Sequence, residues 1–346
     1  MSATSPEGET SRGIGRPRDL ERLGAAHRRT LVTVAKAFHI DGRSRVEIAD
    51  ELGISRFKVA RCLEEARQVG IVSITVMSSS PLPALSQELA HHLGLRRARV
   101  VEVFGDTGNV RAAVGREAGT LLNEGLAEGE VLGIGWGRTL DTMFDDIDHL
   151  PAVEIVQLSG RFPGDVSNSA AQLTRRSVAL TGGTSARVIR APFFISDARQ
   201  AHAARRHPNI ASVVADFDRI TTAVVGIGAV GTDALSMAYS AVPERFLQSV
   251  RASGSVGEVQ GALFAADGHT VSSNSRHTLN ITPRQLAKVP RVIAAAADPR
   301  KAAAVHAVCR SGILTDLVVD VELATALLGR SPVTETFHAA RPATDG

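Results

Sequence analysis

Arg45-Val46-Glu47-Ile48-Ala49-Asp50-Glu51-Leu52-Gly53-Ile54-Ser55-Arg56-Phe57-Lys58-Val59-Ala60-Arg61-Cys62-Leu63 reads as two short helices joined by a sharp turn. The spacing has a steric logic. Ala49 is small where the first helix meets the second. Gly53 sits at the turn, where a residue with positive φ ends a helix at little cost. Ile54 and Val59 are expected to fill the angle between the helices, with Ile48, Leu52 and Leu63 completing a small core. Ser55 is placed to cap the second helix, because its hydroxyl can accept from an early backbone N–H. The periodicity predicts helices over about 44–51 and 55–68. Another begins near Arg28, with Leu31, Val34, Ala35 and Phe38 on one face and Gly42 as its stop.

The second helix offers Arg56, Phe57, Lys58, Ala60 and Arg61 near its start. In a helix-turn-helix those positions face base edges and phosphates. Arg56 or Arg61 can make a bidentate contact with guanine. Lys58 suits a phosphate, which orients without reading sequence. The plainer alternative is a helical hairpin with basic surface residues. The charge distribution argues against it. Residues 1–76 hold 13 Arg/Lys and 10 Asp/Glu, whereas the other 270 hold 26 of each. The whole formal excess of +3 therefore lies in the N-terminal fifth, as expected of a polyanion-binding module beside a neutral body. Ser55, Arg56, Phe57, Lys58 and Arg61 are the candidate DNA-contacting residues, with double-stranded operator DNA as partner.

The chain has 346 residues, enough for two or three compact units. Apolar residues at 44% and charged residues at 22% fit a globular protein. No uncharged apolar run reaches the roughly 18 residues a membrane helix needs, and the N-terminus lacks a signal-peptide pattern. Cys62 and Cys309 alone cannot make a disulfide framework or a metal site. The expected location is the cytoplasm. His91, His92, His202 and His207 lack metal-ligand spacing. Asp145, Asp146 and Asp148 lack the glycine and glutamate of a calcium loop. No metal or cofactor is expected.

Residues 1–27 read as a flexible basic tail and 28–77 as the helix-turn-helix domain, ending in a short β-prone run with Ile71, Ile74 and Val76. Residues 78–83, Ser-Ser-Ser-Pro-Leu-Pro, read as a linker. Residues 84–330 form the second domain and 331–346 a C-terminal tail. In the second domain short β-branched runs alternate with helical stretches. The runs are Val100–Val103, Val131–Ile134, Val153–Val156, Ala223–Ile227, Val292–Ala294 and Leu317–Val319. That alternation predicts an α/β domain with a mainly parallel sheet.

Within it, Val131-Leu132-Gly133-Ile134-Gly135-Trp136-Gly137-Arg138-Thr139-Leu140 follows a strand and is expected to open a helix. Glycines let backbone N–H groups approach an anion, and a helix N-terminus adds partial positive charge. Arg138 and Thr139 supply a cation and a hydroxyl at the same place. The turn suits a phosphate better than a dinucleotide, because position 138 replaces the third glycine of G-x-G-x-x-G. A tight structural turn is the alternative. Trp136 is the sole tryptophan.

The chain resembles the SorC family of bacterial transcriptional regulators. The N-terminal likeness spans Leu31–Val76. The C-terminal likeness runs from about 84 to 329, with landmarks at Gly133–Leu140, Val225–Ala229, Gly257–Gly261, Asp267-Gly268, Lys301 and Asp320. The resemblance implies a DNA-binding head on an effector domain similar in fold to phosphosugar isomerases and deaminases. It also implies a phosphorylated sugar as effector and a homo-oligomer, a tetramer. By position, Gly135, Trp136, Gly137, Arg138 and Thr139 would hold the phosphate. Glu258 would accept from sugar hydroxyls, and Lys301, expected before a helix, would pair with phosphate. Arg161 departs from a glycine pair common in the family, and Asn168 retains a family-like asparagine. Arg276 is a further candidate anion contact.

The expected function is therefore a transcriptional regulator whose operator binding responds to a small carbohydrate, and not an enzyme. The alternative is a phosphosugar isomerase or deaminase with an accessory helical head, in which Asp216 and Asp218 could serve as acid and base.

Overall fold

In the computed structural model the described residues are 24–72, 76–77, 82–162, 170–183, 185–231, 236–239, 242–271 and 275–333. Positions 1–23, most of the expected linker (78–81), Asn168 and 334–346 lie outside them. The chain divides into two units, 1–75 and 76–346.

Local capping explains the first unit. Helix α1 spans Ala25–His39, starting three residues before the periodicity suggests. Helices α2 (Arg45–Leu52) and α3 (Arg56–Gln68) follow. The Ser44 hydroxyl accepts from the Glu47 N–H at 3.3 Å, and the Glu47 carboxylate accepts from the Ser44 N–H at 2.7 Å. This reciprocal pair satisfies two end donors of α2 and holds the Glu47 carboxyl below its ordinary pKa. Gly53 ends α2 with φ +61°. The Ser55 hydroxyl then accepts from the Lys58 N–H at 3.2 Å and starts α3. Leu31, Val34, Ala35, Ile48, Ala49, Val59, Cys62, Leu63 and Ala66 form the core. Leu52 does not join it. As the last residue of α2, beside the turn, it is exposed, and Ile54 packs only partly against the core.

The second unit is built on a seven-stranded parallel sheet. Its spatial order is β2 (Arg97–Val101), β13 (Asp316–Asp320), β12 (Arg291–Ala296), β7 (Thr222–Gly226), β4 (Val131–Ile134), β5 (Glu154–Gln157) and β6 (Ala186–Arg187). The predicted parallel sheet is thus present. Both faces are buried, so the strands are near-continuously apolar. Side chains still alternate between two cores. Ala223, Val225, Val292, Ala294, Leu317 and Val319 join one core. Val224, Ile293, Ala295 and Val318 join the other. The helix Thr107–Asn123 covers the second face with Val114, Ala118, Leu121 and Leu122. The helices Pro83–His92, Ala302–Arg310 and Val321–Leu328 pack into the first. Pro83, read as linker, is the first residue of its helix.

A smaller antiparallel sheet, not anticipated from the pattern, has the order β11 (Thr270–Val271), β10 (Ala262–Ala265), β9 (Ser255–Val259) and β8 (Gly228–Ala229). Gln260 and Gly261, at φ +50° and +84°, make the two-residue turn between β9 and β10. Strands β1 (Val76–Met77) and β3 (Val103–Phe104) pair separately. Among the described residues, no helix is long and apolar enough to cross a membrane.

The order of the large sheet locates a ligand site. From β4 the chain proceeds to β5 and β6 on one side. From β7, on the other side of β4, it proceeds to β12 and β13. The crevice beyond the C-terminal ends of β4 and β7 is therefore the topological switch point, where open α/β sheets bind ligands.

Candidate functional site

A cavity of about 300 Å³ occupies that crevice. Trp136–Thr139 line it after β4, Gly226–Ala229 after β7, and Asp298, Arg300 and Lys301 after β12. Arg111, Ser236 and Glu258 complete the wall. The structure thus brings together Trp136, Gly137, Arg138, Thr139, Glu258 and Lys301 from three segments well separated in sequence.

Two expectations for the glycine turn are corrected. Gly135 is not part of the cavity wall. Its N–H donates to the Val224 carbonyl at 2.9 Å, and a Cβ there would stand 2.5 Å from both that oxygen and Gln260 Nε2. Gly135 is needed for packing. Nor does the turn open a helix. Residues 138–146 form consecutive turns, with Leu140, Met143 and Asp145 N–H groups donating to Gly137, Leu140 and Thr142 carbonyls. The reason lies in the helix beneath. A Cβ at Gly115 would meet the Thr139 carbonyl oxygen at 2.1 Å, and one at Gly119 would meet that of Met143 at 1.7 Å. The segment is drawn onto this glycine face, and Thr142 Oγ1 donates to the Ala112 carbonyl at 2.8 Å.

One wall of the cavity is cationic. Lys301 Nζ donates to the Ile227 carbonyl at 2.9 Å. Burial, then the nearby Arg138 and Arg111, lower its pKa from 10.5 to about 8. Arg111 is half-buried, and its pKa is lowered by burial and by Arg138. Among the described residues none of Arg111, Arg138 and Lys301 is ion-paired. Arg300 differs, because its guanidinium meets the Asp298 carboxylate at 2.5 Å. Lys301 also occupies the N-cap position of the helix Ala302–Arg310, as its sequence context suggests.

The cavity lining also carries Glu258, which is 2% exposed. Its Oε2 accepts from the Ser236 hydroxyl at 2.5 Å, and its Oε1 accepts from the Gly261 N–H. Burial raises its pKa, while those two hydrogen bonds and the charge of Lys301 oppose the rise. A Cβ at Gly228 would meet Ser236 Oγ at 2.3 Å and Glu258 Oε2 at 2.6 Å. Glycine there lets the carboxylate reach the wall. Tyr239, fully buried, donates to the Gly261 carbonyl at 2.8 Å and fixes the hairpin turn that holds Glu258. Trp136 is 6% exposed and packs on Phe162 with ring centroids 4.0 Å apart.

Other singled-out residues lie elsewhere. Asp216 pairs with Arg187 at 2.9 Å and with Arg219 at 3.2 Å, and neither Asp216 nor Asp218 lines the cavity. Asp145 and Asp146 pair with Arg176 and Arg116. Arg276 is exposed and outside the cavity. In the first unit, the cap Ser55 and Arg56, Phe57, Lys58 and Arg61 of α3 are all exposed, while Val59, Cys62, Leu63 and Ala66 are buried.

Arg111, Ser236, Asp298 and Arg300 were missed by sequence reasoning. Arg111 carried a usable signal. It lies four residues before Gly115 and eight before Gly119, so all three share one helix face. That is the face the glycine turn packs against.

The family model described as "Putative sugar-binding domain" matches residues 80–329. The chain is 29% identical over 317 residues to the transcriptional regulator LsrR of Klebsiella pneumoniae subsp. pneumoniae, covering 88% of this chain and 94% of that one. It is 26% identical over 305 residues to the deoxyribonucleoside regulator of Bacillus subtilis, covering 86% and 96%. Among solved structures, the full-length sorbitol operon regulator SorC from Klebsiella pneumoniae superposes with a TM-score of 0.65 at 22% identity, covering 87% of this chain and 98% of that one.

Proposed function

The chain belongs to the sugar-binding domain family of SorC-type transcriptional regulators, and from that premise we propose that a phosphorylated sugar, held in the cavity at the switch point, controls how its helix-turn-helix head binds operator DNA. Its relatives are regulators of transcription, and the isomerase or deaminase alternative gives way to them.

The observation that carries the reading is the excess of positive charge in the cavity lining. Arg111, Arg138 and Lys301 all line the cavity and are not ion-paired among the described residues. Glu258 lines the same cavity with its carboxylate already oriented. Three cations and one carboxylate leave an excess that a phosphate dianion neutralises. Charge-assisted hydrogen bonds from guanidinium and ammonium groups are the strong ones available to it. Thr139, 3% exposed, adds a hydroxyl. Glu258 accepts hydrogen bonds from sugar hydroxyls. The head uses Arg56 and Arg61 for base edges and Lys58 for the backbone, with Ser55 starting the helix. The effector binds one state of the body better than another and so shifts DNA affinity. The assembled form is a homo-oligomer, a tetramer, which light scattering measures, and it acts in the cytoplasm.

Trp136 provides the test. Titrating a panel of phosphorylated sugars is expected to quench or shift its emission with at least one of them, and Thr139→Ala is expected to weaken that response. A panel that changes neither the fluorescence nor the heat of mixing contradicts the reading.

A further inference from the structure

Phe57 is 74% exposed and is the second residue of α3. The buried face of this helix is made by Val59, Cys62, Leu63 and Ala66. Phe57 therefore contributes nothing to the core, and Arg61, four residues on, shares its side of the helix. The Arg56 guanidinium lies 5.2 Å from the Phe57 ring centroid. Arg56, Lys58 and Arg61 are exposed and are not ion-paired among the described residues. An exposed apolar ring thus sits among unpaired cationic side chains at the start of the helix read as entering the major groove. The surface complements a polyanion, and the ring needs an apolar partner within it. On the base edges of the major groove that partner is the C5-methyl of thymine.

We propose that Phe57 reads a thymine methyl group in the operator. The inference rests on the reading of the head as a duplex binder and adds a base identity to it. Arg61 lies one helical turn away, about 6 Å along the axis, so its contact falls on a neighbouring base pair.

The experiment selects duplexes from a randomised pool with the full-length protein. Each thymine of the enriched site is then replaced singly by deoxyuridine, which removes only the methyl. The wild type is expected to lose about fourfold in affinity at one such position, the effect of one methyl group returned to water. Phe57→Ala is expected to bind the unmodified site more weakly and to show no loss at that same position. Phe57→Leu, which keeps an apolar group, is expected to retain part of the loss. Substitution at so exposed a position leaves the core untouched, and circular dichroism checks the helix content. If the wild type binds but every deoxyuridine costs it no more than it costs Phe57→Ala, the thymine contact is overturned while duplex binding stands. If no duplex is enriched, the duplex-binding premise itself falls, and the contact with it.

Discussion

The backbone N–H of Asp298 donates to Asp320 Oδ2 across 3.0 Å, and Asp320 Oδ1 accepts from the Leu323 N–H at 3.0 Å. Asp320 ends β13 and caps the last helix, while Asp298 opens the turn that presents Lys301. Asp298 has φ +95°, a conformation that costs a non-glycine residue about 1–3 kcal/mol unless its surroundings impose it. One buried carboxylate thus starts the helix and holds the strained turn that precedes Lys301.

Asp320→Ala should therefore have two effects at once. Loss of the cap and of the partner for Asp298 should cost about 1–3 kcal/mol of stability, read by denaturant unfolding. Release of the turn should also weaken the effector about tenfold, read by calorimetric titration. A variant that loses stability with full effector affinity would show that the turn is held by other contacts.

Arg111→Gln should discriminate by charge. A guanidinium hydrogen-bonded to phosphate contributes about 1.5–3 kcal/mol, so the phosphorylated effector should weaken by roughly ten- to a hundredfold. Binding of the unphosphorylated sugar should not change. Equal losses for both would place Arg111 outside the phosphate contact.

Effector affinity should be greatest between about pH 6 and pH 8. Lys301 has its pKa lowered to about 8, so its positive charge is present below that value and is lost as the pH rises through it. A phosphate monoester loses its second negative charge as the pH falls through about 6. Titrations across pH 5–10 check both limbs. Lys301→Met should abolish the alkaline limb and lower the plateau.

Lys58→Ala should reduce the slope of log affinity against log salt by about one, since each phosphate contact releases roughly one counterion. The loss should be similar for every duplex sequence. A sequence-dependent loss would move Lys58 from the phosphates to the bases.

The head was legible because its determinants are local. Gly53 and Ser55 each act within four residues of themselves, and the structure finds both doing so. Leu52 was misread because helical spacing alone ignores the turn that ends the helix beside it. Six strands of the large sheet were legible because burial on both faces leaves uninterrupted β-branched runs, whereas the two-residue edge strand Ala186–Arg187 carries no such run. Strands β8–β11 were not, because they are short, and the β9–β10 turn is made by Gln260-Gly261, whereas the Asp267-Gly268 dipeptide between β10 and β11 was a usable hairpin signal that was passed over. The cavity is a different matter. Glu258 and Lys301 entered only through resemblance, since nothing near them in sequence says that β9 and the β12 turn meet. Gly135 shows the converse limit. Its place in a glycine-rich turn suggested an anion, whereas the close approach of Val224 and Gln260 is what requires it.

The most direct measurement of the central claim is the affinity of the full-length protein for its selected duplex with and without a phosphorylated sugar, in the wild type and in Lys301→Met. The account predicts that at least one such sugar changes the dissociation constant by about fivefold or more, and that the variant binds the same duplex without that response. Failure of the wild type to bind any duplex at low ionic strength, or a response that Lys301→Met leaves intact, would contradict it.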